Sequence, residues 1–221
     1  MSIKFNDSKD YTLGVELEMQ VVSSESLSLV NRSADILNRA AEDELLSGFV
    51  KHELMDSNIE VITKICRDVE DAEADLTRKL RRVMEYASRE GLAVSGGGTH
   101  PFSLWRDQSI TDDERYQRLL KNLQHVARRF SIFGLHVHVG IDGAEKCIYV
   151  VNRMLYYLPH LLSLSANSPF WEGVDTGLKS FRTKVFESLP TAGLPFYFKH
   201  WDDYCKLVEN YLKTGTIETI R

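Results

Sequence analysis

Apolar and polar residues alternate along several separate segments of the chain. Alternation of this kind is typical of half-buried strands, whose successive side chains point to opposite faces of a sheet. It is clearest where Val15, Leu17 and Met19 interleave with polar residues, and again where Leu135 and Val137 do so. The pattern predicts strands over residues 11–22, 52–66, 92–95 and 131–141.

A three-to-four-residue spacing of apolar positions predicts helices between these strands. The strongest starts at Val69, where Asp68 is placed to cap its first turn and Gly91 to close its end. A Thr111–Glu114 capping box predicts another helix, running to about Arg129. The remaining predicted helices cover residues 33–46, 144–165 and 201–213.

The order of these elements predicts a mixed α/β or α+β domain built on one sheet. No repeat, low-complexity tract or linker interrupts the chain, so residues 1–221 are expected to form a single domain. Residues 166–198 lack strong periodicity and hold several Pro and Gly residues. Such long irregular stretches are often functional.

Composition and charge argue against several classes of protein. A net charge of −5 with 27% charged residues argues against a disordered polyelectrolyte and against a nucleic-acid binder. The three dispersed cysteines form no disulfide framework and favour a reducing cytoplasm. The most apolar window, residues 148–166, is interrupted by polar residues and Pro159, which argues against a membrane span.

The first polar cluster lies on the first predicted strand. Glu16, Glu18 and Gln20 share one face of that strand, while the apolar residues share the other. Taken alone, this segment is best interpreted as a half-exposed strand whose glutamates face water, although Glu is depleted in strands. His136 and His138 stand in the same relation on the last strand, and Leu135, Val137, Val139 and Ile141 are expected to face inward. That histidine pair is as consistent with solvent exposure as with a site.

Glu60 interrupts an apolar run in a third strand-like segment, and Glu53 precedes it. If the three strands are neighbours in the sheet, their carboxylates and imidazoles lie together on one surface. The carboxylates would then repel one another without bound cations. A donor set in which carboxylates outnumber imidazoles, with no cysteine nearby, favours Mg²⁺ or Mn²⁺ over Zn²⁺.

The chain holds neither a GxxxxGK[ST] phosphate loop nor a GxGxxG fingerprint. Because Mg²⁺ held by a few carboxylates is usually shared with nucleotide phosphates, the glycines before His100, and Arg182 in the irregular stretch, are candidates for contacts with a nucleotide. Taken alone, the glycine run is weak evidence that a plain turn also explains, and a solvated surface arginine is the stronger interpretation of Arg182.

Four motifs follow one another along the chain: Thr12-Leu-Gly-Val-Glu-Leu-Glu-Met-Gln20, Gly97-Gly-Thr-His-Pro-Phe102, Gly134-Leu-His-Val-His-Val-Gly140 and a loop from Leu164 to Arg182. Together they resemble the glutamate–cysteine ligase type 2 family of carboxylate–amine ligases, with YbdK-like proteins the nearest in character. The resemblance implies an α+β, glutamine-synthetase-like catalytic fold, with a mostly antiparallel curved sheet and flanking helices. It further implies metal ligands at Glu16, Glu18, Glu53, Glu60, His136 and His138, substrate or nucleotide contacts at Thr99, His100 and Arg182, and catalytic roles for Glu53 and Arg182.

The activity implied by the resemblance is ATP-dependent amide formation. A glutamate side-chain carboxylate attacks the terminal phosphorus of ATP, and an amine captures the acyl phosphate, with Mg²⁺ or Mn²⁺ assisting. Members of the family continue beyond the position of Arg221, so this chain is expected to be an incomplete domain at its C-terminus. From this follow the expectations of weak ligase activity and of self-association, as a homodimer or larger, through an uncovered sheet edge.

Two alternatives stay open at this stage. One is a remnant that binds nucleotide and metal without catalysis, and the other is a metal-dependent hydrolase using His136 and His138. The expected ligands are small amino-acid substrates, with no nucleic acid and no membrane. The sequence does not specify the accepting amine or the number of metal ions.

Overall fold

The structure, a computed structural model, describes residues 3–189 and 192–217. Its strands are β1 (Leu13–Ser23), β2 (Val50–His52), β3 (Asn58–Ile62), β4 (Leu92–Ser95), β5 (Leu135–Val139), β6 (Phe170–Trp171) and β7 (Val174–Asp175). Its helices are α1 (Ser33–Glu42), α2 (Val69–Arg89), α3 (Glu114–Leu123), α4 (His125–Arg128), α5 (Ala144–Met154), α6 (Leu158–Ser165), α7 (Phe181–Phe186) and α8 (Trp201–Lys213).

The long strand β1 organises the main sheet. It pairs antiparallel with β3 along one edge, with Glu18 opposite Glu60. Along the other edge its C-terminal part pairs antiparallel with β4, and β5 also pairs with β1. The Glu18 N–H donates to the Gly134 carbonyl (2.9 Å), directly before β5. With β2 beyond β3, the sheet has five strands.

One face of this sheet packs on helices α1 and α2. Met19 and Val21 of β1 are buried there with Ile59 and Val61 of β3, as the alternation predicts. Because successive residues of a strand alternate in direction, the glutamates of β1 necessarily project from the opposite face. The packing of the helices thus determines which face carries the polar cluster.

Helix α2 begins as the sequence predicts. The Asp68 carboxylate accepts from the Asp71 N–H (2.8 Å), which satisfies one of the free donors of the first turn. Its buried face also carries an ion pair between Lys79 and Asp75 (2.7 Å) that the spacing of apolar residues does not reveal. The Lys79 ammonium also donates to the Ile62 carbonyl (2.9 Å), at the end of β3.

The predicted helix after Thr111 begins and ends differently from the prediction. Its N-cap is Asp113, which accepts from the Arg115 N–H, while the Thr111 hydroxyl donates to the Glu53 carbonyl instead. Gln124, with φ 47°, then interrupts the helical path, so the segment forms α3 and α4. The capping-box prediction was wrong because Thr111 has a tertiary partner.

The prediction that the apolar residues of β5 face inward was also wrong. Leu135 and Val137 are 61% and 60% exposed, and Val139 is 54% exposed. Alternation along the strand was correctly predicted, but alternation does not determine which face of a strand is covered.

Two other segments differ from the prediction. The apolar segment 144–165 forms α5 and α6, because a proline at position 159 lacks the N–H of a continuous helix and fits the first turn of a new one. The irregular stretch 166–198 contains the small antiparallel pair of β6 and β7, followed by α7.

The described residues fall into two compact units. The sheet unit comprises Leu13–His138 and Ser165–Ala192, and the helical unit comprises Met1–Thr12, Val139–Leu164 and Gly193–Arg221, as far as these are described. In the helical unit the Asn152 amide of α5 exchanges two hydrogen bonds with the Phe198 backbone (2.6 and 3.2 Å), and Phe5 packs edge-on against Trp201. The single-domain organisation stays a prediction.

Among the described helices, none combines the length and the apolar character that crossing a bilayer requires.

Candidate metal and active site

The candidate site lies on the polar face of the main sheet, within the sheet unit. Glu16 and Glu18 project from β1, and Glu60 projects from β3 in direct register with Glu18. Glu60 is 9% exposed and thus buried. The strand pairing therefore brings three carboxylates together, as the sequence predicts.

The histidines of β5 approach Glu16 from the other edge of β1. His136 Nδ1 lies 3.4 Å and His138 Nε2 lies 3.2 Å from Glu16 Oε2. Burial alone would raise the pKa of Glu16, but the hydrogen bonds and charge of His138 and His136 lower this pKa overall. Glu16 is thereby held in its ionised form.

Potential ligand atoms form two overlapping groups. Glu16, Glu60 and His136 offer atoms within 4.8 Å of one another, and so do Glu18, Glu53 and Glu60. Glu60 belongs to both groups. Burial and the neighbouring charges of Glu16, Glu53 and Glu18 raise the pKa of Glu60 to about 7. Burial, followed by the charge of Glu18, also raises the pKa of Glu53.

Glu53 reaches this surface because the segment after β2 is fixed to residues 109–111. The Thr111 hydroxyl donates to the Glu53 carbonyl (2.5 Å), and the Thr111 N–H donates to the Leu54 carbonyl (3.0 Å). Leu54 packs in a small buried cluster with Met55 and Tyr116. Burial, together with the Glu53 charge, raises the pKa of Tyr116 to about 12, so this phenol stays neutral.

Arg182 of α7 lies beside the carboxylates. Its Nε donates to the Phe133 carbonyl (2.7 Å), and its backbone N–H donates to Ser168 Oγ (3.2 Å). Burial lowers the pKa of Arg182 while the Glu18 charge opposes that shift. In the described part of the chain its two Nη atoms donate to no protein acceptor, which leaves them available to an anionic ligand.

Two glycines provide the room for this arrangement. A Cβ at Gly134 would lie 2.9 Å from His136 Nε2, 3.1 Å from Glu18 Oε1 and 3.2 Å from Arg182 Nη2. A Cβ at Gly98 would lie 3.1 Å from Arg182 Cδ. Any side chain at position 134 would therefore displace site residues. The three distances are measured from the same Cβ position, so the side chains of Glu18, His136 and Arg182 lie close together there.

Thr99 and His100 are buried and bonded to backbone groups. The Thr99 hydroxyl donates to the Phe170 carbonyl (2.8 Å). His100 Nδ1 accepts from the Ser103 N–H (3.0 Å), so Nε2 carries the proton and donates to the Leu27 carbonyl (2.9 Å). Burial lowers the pKa of His100, consistent with a neutral ring. These bonds shape the Gly-rich loop, and the nucleotide contacts of both residues stay predictions.

Sequence reasoning missed three contributors: Asn58, Thr111 and Gly134. The charge pattern has no signal for Asn58, whose contact with Glu18 arises from the β1–β3 register. Gly134 opens the His136–His138 motif, so a glycine two residues before an HxH pair was an available signal. The carboxylate-rich donor set is of the kind that hard divalent cations prefer, and its metal-binding role stays a prediction.

Comparison with known proteins identifies the family. A family model described as "Glutamate-cysteine ligase family 2" matches residues 12–221. The chain belongs to this family.

Curated relatives agree with the family match. The chain is 46% identical over its whole length to a Frankia casuarinae protein named "Putative glutamate--cysteine ligase 2-1", and it covers 58% of that protein. It is 43% identical to a similarly named protein of Gloeobacter violaceus, of which it covers 59%. The chain thus spans less than two thirds of the length of these relatives.

Solved structures show the same fold at low sequence identity. A glutamate–cysteine ligase from Francisella tularensis, solved in complex with AMP, matches 84% of this chain and 45% of its own, with a TM-score of 0.63 and 13% identity. A bifunctional glutathione synthetase from Pasteurella multocida matches 92% of this chain and 30% of its own, with a TM-score of 0.65 and 16% identity. The predicted family and the predicted α+β ligase fold are confirmed.

Proposed function

We propose that the protein is an ATP-dependent carboxylate–amine ligase of the glutamate–cysteine ligase type. The observation that carries this proposal is the pair of overlapping ligand groups on the sheet, joined at Glu60 and lying near Arg182. Membership of a ligase family supports it further. The Francisella enzyme with the same fold was solved with AMP, which is consistent with an adenine nucleotide as substrate.

The carboxylate groups would hold Mg²⁺, or Mn²⁺ in its place. Glu16, Glu60 and His136 would hold one cation, with His138 beside them, and Glu18, Glu53 and Glu60 would hold a second. Bound divalent cations neutralise the charge of the ATP phosphates and of the transition state. The raised pKa values of Glu60 and Glu53 fit this assignment, since carboxylates crowded without a cation retain protons.

The reaction proceeds in two steps. The side-chain carboxylate of glutamate attacks the terminal phosphorus of ATP, the bond to the bridging oxygen breaks, and ADP leaves. The amine then attacks the carbonyl carbon of the acyl phosphate, so an amide forms and inorganic phosphate leaves.

The protein's contribution is positioning and charge. The free Nη atoms of Arg182 suit the transferred phosphoryl group, because a guanidinium fork matches phosphate oxygens. Glu53, on the segment fixed by Thr111, would hold the second cation together with Glu18 and Glu60. Thr99 and His100 maintain the loop that lines the nucleotide.

Release of ADP tests this function directly. The 221-residue chain is incubated with Mg²⁺, ATP, glutamate and a panel of amines including cysteine, and ADP and amide product are quantified. Amine-dependent ADP release that is lost in Glu60→Gln supports the proposal.

Other outcomes support other functions. Nucleotide binding without ADP would support a non-catalytic binding protein, and substrate cleavage without ATP would support a hydrolase using His136 and His138. The expected weakness of turnover and the expected self-association stay predictions, and size-exclusion chromatography tests the second. The expected absence of nucleic-acid partners and the cytoplasmic location also stay predictions.

A further inference from the structure

Asn58 lies next to the ligand groups without belonging to either. It is the first residue of β3, opposite Gln20 of β1, and it is 4% exposed. Its Nδ2 donates to Glu18 Oε2 at 3.3 Å. The Gly134 N–H donates to the same oxygen at 2.9 Å. One donor from β3 and one from the residue directly before β5 thus hold a single oxygen of the Glu18 carboxylate.

The other end of the Asn58 amide has no partner. Asn58 Oδ1 is buried and accepts no hydrogen bond from any described residue. Buried polar atoms without partners are rare, and each one calls for an explanation. Rotating the amide by half a turn would not remove the problem, because Oδ1 would then face the Glu18 carboxylate, which cannot donate a proton when ionised.

We propose that Asn58 is a positioning residue that orients the carboxylate of Glu18 for cation binding. With Oε2 held by Asn58 and Gly134, the lone pairs of Oε1 are free, since Oε1 accepts no hydrogen bond in the described part of the chain. The same carboxylate belongs to the ligand group of Glu18, Glu53 and Glu60. Hydrogen bonds from surrounding residues commonly orient metal-binding carboxylates in this way.

A purely structural role for Asn58 makes a different prediction. An asparagine that stabilised the fold would lower the melting temperature when replaced by an apolar residue. The unpaired Oδ1 argues for the reverse, because an apolar side chain of similar shape removes a buried acceptor that is unsatisfied in the folded state. Stability and cation affinity are therefore expected to change independently at this position.

Manganese binding by the 221-residue chain distinguishes the two roles. Mn²⁺ alone is titrated and free Mn²⁺ is followed by electron paramagnetic resonance, while melting temperature is measured on the same metal-free samples. Asn58→Leu is expected to weaken Mn²⁺ binding about tenfold, with the melting temperature unchanged or raised. Asn58→Ala, which also lacks the donor and demands less space, is expected to weaken binding similarly and carries the test if the leucine variant does not fold.

Ser57→Ala is the matched control. Ser57 is the adjacent buried residue, in the turn that precedes β3, and its hydroxyl also has no hydrogen-bond partner among the described residues. Its variant is expected to bind Mn²⁺ as the wild type does. Wild-type affinity in both Asn58 variants would overturn the positioning role, as would equal weakening in Ser57→Ala.

The inference rests on the proposed function, and the same titration separates the two failures. Absence of Mn²⁺ binding by the wild-type chain would overturn the metal-dependent function and the inference with it. Binding by the wild type that is lost in Glu60→Gln but unchanged in the Asn58 variants would overturn the inference alone.

Discussion

Glu18 of β1 lies directly opposite Glu60 of β3 in the antiparallel register of the main sheet. Like charges directly opposite each other on neighbouring strands destabilise a sheet. Burial, and then the charges of Glu16, Glu53 and Glu18, raise the pKa of Glu60 to about 7. The repulsion between these carboxylates is one that a bound divalent cation would relieve.

The metal-free protein is expected to lose stability as the pH rises. The carboxyl of Glu60 titrates near 4.5 ordinarily and near 7 in the folded state. Between these values the unfolded chain has released a proton that the folded chain retains, so the free energy of unfolding falls with increasing pH. The loss is about 3 kcal/mol once the pH exceeds 7. Chemical denaturation in EDTA between pH 4.5 and 8 measures it.

The variant Glu60→Gln provides the control for this pH dependence. It lacks the titrating group, so the difference between its profile and that of the wild type isolates the contribution of Glu60. Identical slopes in the two proteins would contradict the prediction. Saturating Mg²⁺ is expected to remove the decline in the wild type, because the bound cation keeps the carboxylate ionised in the folded state.

Cation binding is expected to depend on Glu60 more than on any other ligand. Glu60 belongs to both ligand groups, so Glu60→Gln is expected to abolish Mn²⁺ binding at both, while Glu16→Gln leaves the group of Glu18, Glu53 and Glu60 intact. Calorimetric titration of each variant gives the number of sites. Glu25→Gln, at an exposed turn position, is the matched control and should bind as the wild type does. Two intact sites in Glu60→Gln would refute the shared-ligand arrangement.

A methyl group at position 134 is expected to damage the site more than the fold. In Gly134→Ala the new Cβ would lie 2.9 Å from His136 Nε2 and close to Glu18 and Arg182. These are side-chain ends that can move, so the fold survives while their mutual positions change. We expect at least tenfold weaker Mn²⁺ binding with little change in melting temperature. Gly96→Ala, where a Cβ meets nothing within 4 Å, should be neutral, and equal binding by both variants would contradict the prediction.

The buried ion pair of α2 is expected to be essential for stability. The Lys79 and Asp75 side chains are 2% and 4% exposed, and the Lys79 ammonium also lies 3.4 Å from the centroid of the Phe49 ring. Replacing Lys79 by Met leaves Asp75 buried with a partner lost, which costs about 3–5 kcal/mol. Urea denaturation of the metal-free protein measures this cost.

Arg78 offers a closely matched control for this substitution. It contacts the same carboxylate at 3.1 Å, but its side chain is 62% exposed. Arg78→Met is therefore expected to cost less than about 1 kcal/mol. Similar losses in the two variants would show that burial of the Lys79 pair is not what determines the cost.

The face on which each candidate metal ligand lies could be predicted from the sequence, because successive side chains of a strand alternate between its two faces. Glu16 and Glu18 had to share a face once Leu17 and Met19 were assigned to the core, and the structure confirms this assignment. The convergence of Glu16, Glu60 and His136 required one further assumption, that three strand segments are neighbours. The family resemblance supported that assumption.

Features that depend on tertiary partners could not be predicted in the same way. Thr111 has the sequence context of a helix cap, yet its hydroxyl donates to Glu53, and only the folded chain brings these residues together. The side chains of Leu135 and Val137 alternate as predicted but are exposed, because periodicity does not specify which surface is covered. The pairing of Asn58 with Glu18 depends on register, which a single strand does not encode.

The position of β1 between neighbouring strands has a consequence for how the main sheet opens to solvent. Its two edges are engaged by β3 on one side and by β4 and β5 on the other. Amide protons in such a strand exchange with solvent only when the surrounding sheet opens cooperatively. The carboxylates that β1 carries therefore lie on a strand whose amides we expect to exchange slowly, and we expect their spacing to persist through the local fluctuations that loosen loops and helix ends.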